Sequence, residues 1–252
     1  FGLYFLTENW FLVFVTGEAA AILYLVLTGT VFKNFFQKSQ WFGQALRRGG
    51  FLVFSYLITN LTLNIDRLVL ENLIGHLAVT QYYVTSLIGK TLVLLVAPVN
   101  TIIISYLTRK QERMNRRQFL MFTGIGVAVS FVFFICAQIG TPIFVRLFYG
   151  DLYDSVKEMI TVVNLSQILG VLSAYLFIVV LTFTEEKWQL LLQIFHLVVI
   201  VALVLIFTGR GGIMGFAEAV LIANTLRVAA VILLGIIKAG KISRQKTTSK
   251  NL

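Results

Sequence analysis

Seven long apolar stretches occupy most of this 252-residue chain, at approximately residues 8–32, 49–73, 77–107, 118–148, 156–183, 189–207 and 213–237. Each is close to or longer than the about 20 residues that a helix needs to cross a hydrocarbon core about 30 Å thick. A transmembrane β-barrel would instead show segments of about ten residues with alternating polarity. We therefore predict an all-α integral membrane protein with about seven transmembrane helices.

The composition supports a membrane protein over a soluble one. Hydrophobic residues make up 58% of the chain and charged residues 13%, against about 45–50% and about 25% in a soluble domain. The net charge of +10 would also suit nucleic acid, but the basic residues lie between the apolar stretches, where lipid headgroups are found. We predict contact with membrane lipids and no nucleic-acid partner.

Basic residues follow every second apolar stretch, which indicates the orientation of the chain. Of 21 Lys and Arg residues, 15 lie in four such segments. Positive residues mark the cytoplasmic side of membrane proteins, so the C-terminus is predicted to be cytoplasmic. These 15 residues are Lys33, Lys38, Arg47, Arg48, Arg109, Lys110, Arg113, Arg116, Arg117, Lys187, Lys238, Lys241, Arg244, Lys246 and Lys250.

The second stretch ends in a row of polar residues. Asn60, Asn64, Arg67 and Glu71 have the spacing of one helical face, and an ionisable group facing lipid costs at least about 2.5 kcal/mol. The row should therefore face protein or water. Arg67 is interpreted as a contact for an anionic substrate or, with Asp66, as an anchor to neighbouring helices.

Lys90 lies deep in the third stretch, too far from either interface for its side chain to reach water easily. A lysine near the membrane midplane needs a partner. Two interpretations stay open: Lys90 binds an anionic group of a substrate such as a pyrophosphate, or it pairs permanently with a carboxylate such as Asp66.

Other polar residues are predicted to hold helices together, as polar side chains do inside membranes. This group comprises Gln138, Asn164, Gln167 and His196, the last through an interhelical hydrogen bond. Glu218, Asn224 and Arg227 make the last stretch more polar than a structural helix requires, although Arg227 could also extend to the basic interface. The spacing of Gly211 and Gly215 permits close helix packing.

The chain lacks the residue patterns of common enzymes. No phosphate-binding loop, zinc-protease motif or nucleophile elbow is present. Cys136 is the single cysteine, so neither a disulfide nor a cysteine-based metal site can form within the chain, and we expect Cys136 to pack in the interior. We predict no enzyme activity, cofactor or metal.

Several motifs closely resemble the C-terminal lobe of bacterial polysaccharide flippases, in the multidrug/oligosaccharidyl-lipid/polysaccharide exporter superfamily. They are Leu46-Arg47-Arg48-Gly49-Gly50, Asn64-Ile65-Asp66-Arg67-Leu68-Val69-Leu70, Gln81-Tyr82-Tyr83, Ala97-Pro98-Val99-Asn100, Phe148-Tyr149-Gly150-Asp151-Leu152-Tyr153 and Asn164-Leu165-Ser166-Gln167-Ile168-Leu169-Gly170. The resemblance covers most of the chain.

The resemblance implies a domain plan. Residues 1–32 would end with the last helix of an N-terminal lobe, most of which is missing here. Residues 33–48 would be a cytoplasmic linker, 49–237 a six-helix C-terminal lobe, and 238–252 a basic cytoplasmic tail. We expect this piece alone to be inactive in transport.

The resemblance also implies a function in the bacterial cytoplasmic membrane. The protein would flip undecaprenyl-pyrophosphate-linked oligosaccharides to the outer leaflet for surface polysaccharide synthesis, such as lipopolysaccharide, by alternating access. A coupling ion is a further candidate partner. Lys90 and Arg67 would contact the pyrophosphate, and Asp66, Asn64 and Asn60 complete the predicted substrate site. The alternatives are a drug or cation exporter of the same superfamily, a polysaccharide polymerase or ligase, and a structural membrane subunit.

Overall fold

The computed structural model describes residues 10–28, 42–109 and 114–249. Every element in these ranges is an α-helix, which confirms the predicted all-α fold. The helices are α1 (Trp10–Thr28), α2 (Phe42–Leu63), α3 (Ile65–Leu73), α4 (His76–Arg109), α5 (Arg116–Phe148), α6 (Gly150–Val156), α7 (Ile160–Leu181) and α8 (Glu186–Ser249).

Four helices in the described ranges are long and apolar enough to cross a membrane. Their candidate spans are His76–Leu107, Arg116–Phe148, Ile160–Leu181 and Lys187–Ala239. Shorter apolar helical segments cover Val15–Thr28 and Val53–Thr62. A membrane protein is therefore supported, whereas the number of about seven spans stays a prediction.

The chain divides into two compact units, Phe1–Arg47 and Arg48–Leu252. The first unit contains α1 and the first residues of α2. The second contains the rest of α2 and all later helices. Helix α2 begins at Phe42, inside the segment 33–48 that was predicted as a linker, and α8 continues to Ser249, into the predicted tail. The four-part plan, including its lobe assignment, stays a prediction.

Helix α8 is a hairpin of two arms, residues 186–211 and 213–249. Gly212, between them, has φ 58° and ψ −139°, a backbone conformation that only glycine adopts easily. His196 and Asn224 are 28 positions apart yet lie within 3.2 Å, whereas a straight helix would separate them by about 42 Å. The two last predicted apolar stretches therefore lie against each other as antiparallel arms.

The two arms of the hairpin pack closely against each other just after the Gly212 turn. A Cβ atom added at Gly215 would lie 2.2 Å from the carbonyl oxygen of Phe207 on the first arm, whereas one added at Gly211 meets nothing within 4 Å. The predicted close approach at the two glycines is thus confirmed for Gly215 only.

Helix α7 lies at the centre of the second unit and packs against α4, α5 and α8. Small residues on the neighbours permit this. A Cβ added at Gly89 of α4 would lie 2.4 Å from Cβ of Gln167, and one at Gly126 of α5 would lie 2.5 Å from the Tyr175 ring. Glycine at these positions lets neighbouring helix backbones approach closely.

Two apolar clusters occupy opposite ends of this unit. The hairpin-end cluster lies near the Gly212 turn and includes Tyr82, Val145, Val163, Ile200, Val204 and Phe216. The tail-end cluster lies near the start of α5 and the end of α7 and includes Phe119, Leu172, Leu176, Val180 and Val231. Along α4, α7 and both arms of α8, polar residues lie between the two clusters, so the unit has a polar middle layer.

Three local predictions are corrected. The stretch 49–73 is not one helix, because it breaks at Asn64 (φ −106°, ψ 10°) between α2 and α3. The predicted connector 149–155 is largely the short helix α6. Cys136 is exposed on α5 rather than packed inside, because it belongs to the outer face of that helix, where lipid would replace protein contacts.

Replacing Gly212 with alanine tests the hairpin turn. A Cβ atom is disfavoured in this backbone conformation, so Gly212→Ala should lower the free energy of unfolding by about 1–3 kcal/mol. Gly209→Ala is the matched control, because Gly209 lies inside the first arm with open space around it. Thermal unfolding in lipid nanodiscs measures both. Equal effects of the two substitutions would contradict the assigned turn.

Candidate functional site

Lys90 is placed near the middle of α4, about 21 Å along the helix from its first residue at 1.5 Å per residue. Its side chain is 29% exposed, so it is accessible although deep. A charge at this depth is expensive without a partner.

Asp66 supplies that partner from the first turn of α3. The Lys90 ammonium nitrogen lies 2.5 Å from Asp66 Oδ2, and the Asp66 side chain is only 8% exposed. The second carboxylate oxygen, Oδ1, is buried without a hydrogen-bond partner in the part of the chain that the structure describes. The structure thus contains the ion pair that was one of the two interpretations of Lys90.

A second cation stands beside this pair. The guanidinium carbon of Arg67 and the ammonium nitrogen of Lys90 each lie 5.9 Å from the centre of the Tyr83 ring, within the range of cation–π attraction. Arg67 and Tyr83 are both exposed. Within the described ranges no carboxylate forms an ion pair with Arg67. The Arg67 guanidinium and the Lys90 ammonium group therefore lie near the same aromatic ring. The Asp66 carboxylate pairs with Lys90.

We name Asp66, Arg67, Tyr83 and Lys90 the α3–α4 charge cluster. Tyr83 was not among the predicted site residues. Its spacing of seven from Lys90 places both on one face of α4, and this signal was available in the sequence. The Tyr83 ring carries no formal charge, so it does not stand out among the apolar residues of α4.

Asn60 and Asn64 are not part of this cluster. The Asn60 side chain donates to the carbonyl of Tyr56, and the Asn64 side chain donates to the carbonyl of Asn60. Such bonds to the preceding turn compete with regular helix geometry, which agrees with the break at Asn64. The predicted polar stripe through Glu71 crosses this break and stays a prediction, with Asn64, Arg67 and Glu71 all exposed. The Glu71 carboxylate lies 2.6 Å from Nδ1 of His76.

The two arms of α8 are joined by two polar rungs in the middle layer. His196 Nε2 lies 3.2 Å from Asn224 Oδ1. One helical turn away, Arg227 donates to Gln193 Oε1 at 3.3 Å. The predicted interhelical hydrogen bond of His196 is confirmed. Arg227 contacts Gln193 in the middle layer, and its extension to the basic interface stays an interpretation.

Asn224 also connects the hairpin to the central helix. Its Nδ2 donates to the Ser166 carbonyl at 2.9 Å and approaches the Ser166 hydroxyl at 3.3 Å. Gly170 of α7 lies beside this side chain, where an added Cβ would be at an ordinary van der Waals distance of 3.5 Å from Asn224 Nδ2. Asn224 is therefore a structural link between α7 and both arms.

A third polar group links α5 and α7. Asn164 donates to the Ala137 carbonyl at 3.1 Å and to Gln138 at 2.9 Å, and it accepts from Thr141 at 3.1 Å. The predicted role of Asn164 and Gln138 in holding helices together is confirmed. Gln167 lies 3.5 Å from the hydroxyl oxygen of Tyr82.

The aromatic and charged residues at the tail end suit a membrane interface. Lys238 stands 4.3 Å from the centre of the Trp188 ring, and Lys187 pairs with Glu185. Hydrogen bonding to Lys187 lowers the pKa of Glu185. Tryptophan and lysine are typical of the headgroup region.

The described residues contain no group of three or more His, Cys, Asp or Glu side chains placed to hold a metal ion. No protein-family model matches the chain, and neither a curated protein nor a solved structure is significantly similar to it.

Replacing Asn224 tests the structural reading of the α7–α8 link. Asn224→Ala leaves His196 and Ser166 without their partner, and such a loss typically lowers the free energy of unfolding by about 1–3 kcal/mol. Asn72→Ala is the control, since Asn72 is exposed and bonds only to its own helix at Leu68. Thermal unfolding in nanodiscs should distinguish the two. A neutral Asn224→Ala would contradict the link.

Proposed function

We propose that this chain is part of a transporter that moves an anionic, diphosphate-bearing lipid-linked oligosaccharide across a bacterial cytoplasmic membrane, with Lys90 and Arg67 as contacts for the diphosphate. The observation that carries the proposal is the α3–α4 charge cluster, where an accessible lysine lies deep in an apolar helix. Ionisable residues inside membranes typically mark substrate pathways.

The charge balance of the cluster favours an anion. Lys90 and Arg67 contribute two positive charges and Asp66 one negative charge. Lys90 keeps an exposed part of its side chain, and Arg67 is exposed without a carboxylate partner among the described residues. A cationic drug would be repelled by this excess, so the cluster disfavours the drug-exporter alternative.

The proposal narrows the predicted substrate site. A carboxylate repels a diphosphate, so Asp66 is assigned to Lys90 and not to the substrate. Asn60 and Asn64 each donate one side-chain hydrogen bond to a carbonyl of their own helix, and we assign them a structural role. The oligosaccharide and the prenyl lipid come from the resemblance of the motifs, and the charge cluster supports only the anionic part.

The orientation follows from the basic segments. Lys187 and Lys238, at the tail end, belong to the side predicted to be cytoplasmic. The Gly212 turn then lies on the outer side and the C-terminus in the cytoplasm. Substrate would move past the middle layer by alternating access, without catalysis and without a bound cofactor.

A proteoliposome assay tests the function. A fluorescent prenyl diphosphate disaccharide is added to vesicles reconstituted with the complete transporter of which this chain is proposed to be part, and its loss of accessibility to an external quencher reports movement between leaflets. Lys90→Ala removes a charge-assisted contact of about 1.5–3 kcal/mol, so the rate should fall by about tenfold or more. Lys90→Arg should retain part of the rate.

Lys157→Ala is the matched control. Lys157 forms an exposed ion pair with Asp154 at 3.0 Å, and this hydrogen bond raises the pKa of Lys157, so Lys157 is a cation at neutral pH. The control should flip lipid at the wild-type rate. Wild-type rates in Lys90→Ala vesicles, or wild-type vesicles that move only a cationic dye, would contradict the proposed function.

A further inference from the structure

The anion contact on Lys90 is already occupied in this structure. Asp66 Oδ2 lies 2.5 Å from the Lys90 ammonium nitrogen, the position that a phosphate oxygen would take. A substrate diphosphate and the Asp66 carboxylate would therefore compete for one cation. The competitor is covalently part of the chain, so it is present at every moment of the cycle.

The position of Asp66 provides groups that stabilise its charge when Lys90 is released. It lies in the first turn of α3, where the free N–H groups at the start of a helix stabilise a negative charge. Arg67 follows it directly in the sequence. The Oδ1 atom of Asp66 has no hydrogen-bond partner among the described residues, so the Asp66 carboxylate is not held by a complete set of hydrogen bonds.

We infer that Asp66 is a tethered competitor that sets the affinity and selectivity of Lys90 for anions, an inference that rests on the proposed function. Small monoanions offer Lys90 no more charge than Asp66 does and fail to displace it. A diphosphate offers more charge and can bind Lys90 and Arg67 together. Asp66 is thus a specificity-determining residue and not a substrate contact.

The size of the effect follows from the fraction of time that Lys90 is free. An apparent dissociation constant equals the intrinsic one divided by the binding-competent fraction, so a pair closed in about nine of ten molecules weakens binding about tenfold. Removing the Asp66 charge should therefore lower the apparent dissociation constant about tenfold. This tighter binding should occur only when Lys90 is present.

Binding of farnesyl diphosphate to the full chain in phosphatidylcholine nanodiscs tests the inference, with farnesol as the uncharged control ligand. Asp66→Asn should bind farnesyl diphosphate about tenfold more tightly than wild type, with no change for farnesol. In the Lys90→Ala background the same substitution should have no effect. Asp154→Asn, which neutralises the carboxylate of an exposed ion pair, should bind as wild type does.

The outcomes separate the inference from the proposed function. If Lys90→Ala binds farnesyl diphosphate as well as wild type, the proposed function fails. If Lys90→Ala weakens binding but Asp66→Asn does not strengthen it, the competitor role alone is wrong. Sulfate should compete with farnesyl diphosphate more strongly in Asp66→Asn than in wild type, and equal competition would also overturn the role.

A readout on the unmodified protein covers the case in which Asp66→Asn does not fold. With ¹³C-labelled aspartate, the Asp66 carboxyl signal should shift when farnesyl diphosphate saturates the protein and Lys90 is released. It should not shift with farnesol. An unchanged Asp66 signal at saturation would overturn the inference.

Discussion

The ion pair between Lys90 and Asp66 is the interaction on which the middle of this protein depends. A lone ammonium group in a bilayer interior is disfavoured by at least about 2.5 kcal/mol, so Lys90 needs a carboxylate that arrives at the same depth. Asp66 meets this need because the chain breaks at Asn64 and starts a new helix, α3, with Asp66 in its first turn. The break is therefore a part of the site.

The pair sits in a layer of polar contacts between two apolar clusters. The central helix α7 carries part of that layer, with Asn164 bonded to α5 and Ser166 bonded to Asn224 of α8. Glycines at positions such as 89 and 126 allow neighbouring helices to approach α7 closely. Directional hydrogen bonds in the layer fix how the helices are aligned along their axes. Apolar contacts between membrane helices allow many alignments and distinguish little between them.

Much of the fold follows from hydropathy and length. The stretches 77–107, 118–148 and 156–183 correspond closely to α4, α5 and α7, and the hairpin of α8 joins the two last stretches.

The break at Asn64 and the exposure of Cys136 were missed for physical reasons. Lipid-facing and protein-facing residues are both apolar, so hydrophobicity cannot tell them apart. Asn60 and Asn64 have the spacing of a regular helix, so the sequence does not indicate that their side chains bond to the preceding turn. The Lys90–Asp66 contact was foreseen as one of two possibilities, since deep charges have few partners, whereas the contribution of Tyr83 was not.

A double-mutant cycle on unfolding in nanodiscs tests the ion pair most directly, with Lys90→Met, Asp66→Asn and the double variant. Each single substitution leaves one charged or polar partner unsatisfied and should lower the free energy of unfolding by about 1–3 kcal/mol. The double variant leaves no unpaired charge, so its loss should be smaller than the sum of the single losses by at least about 0.5 kcal/mol. Additive losses would show that Lys90 and Asp66 do not interact and would contradict this account of the site.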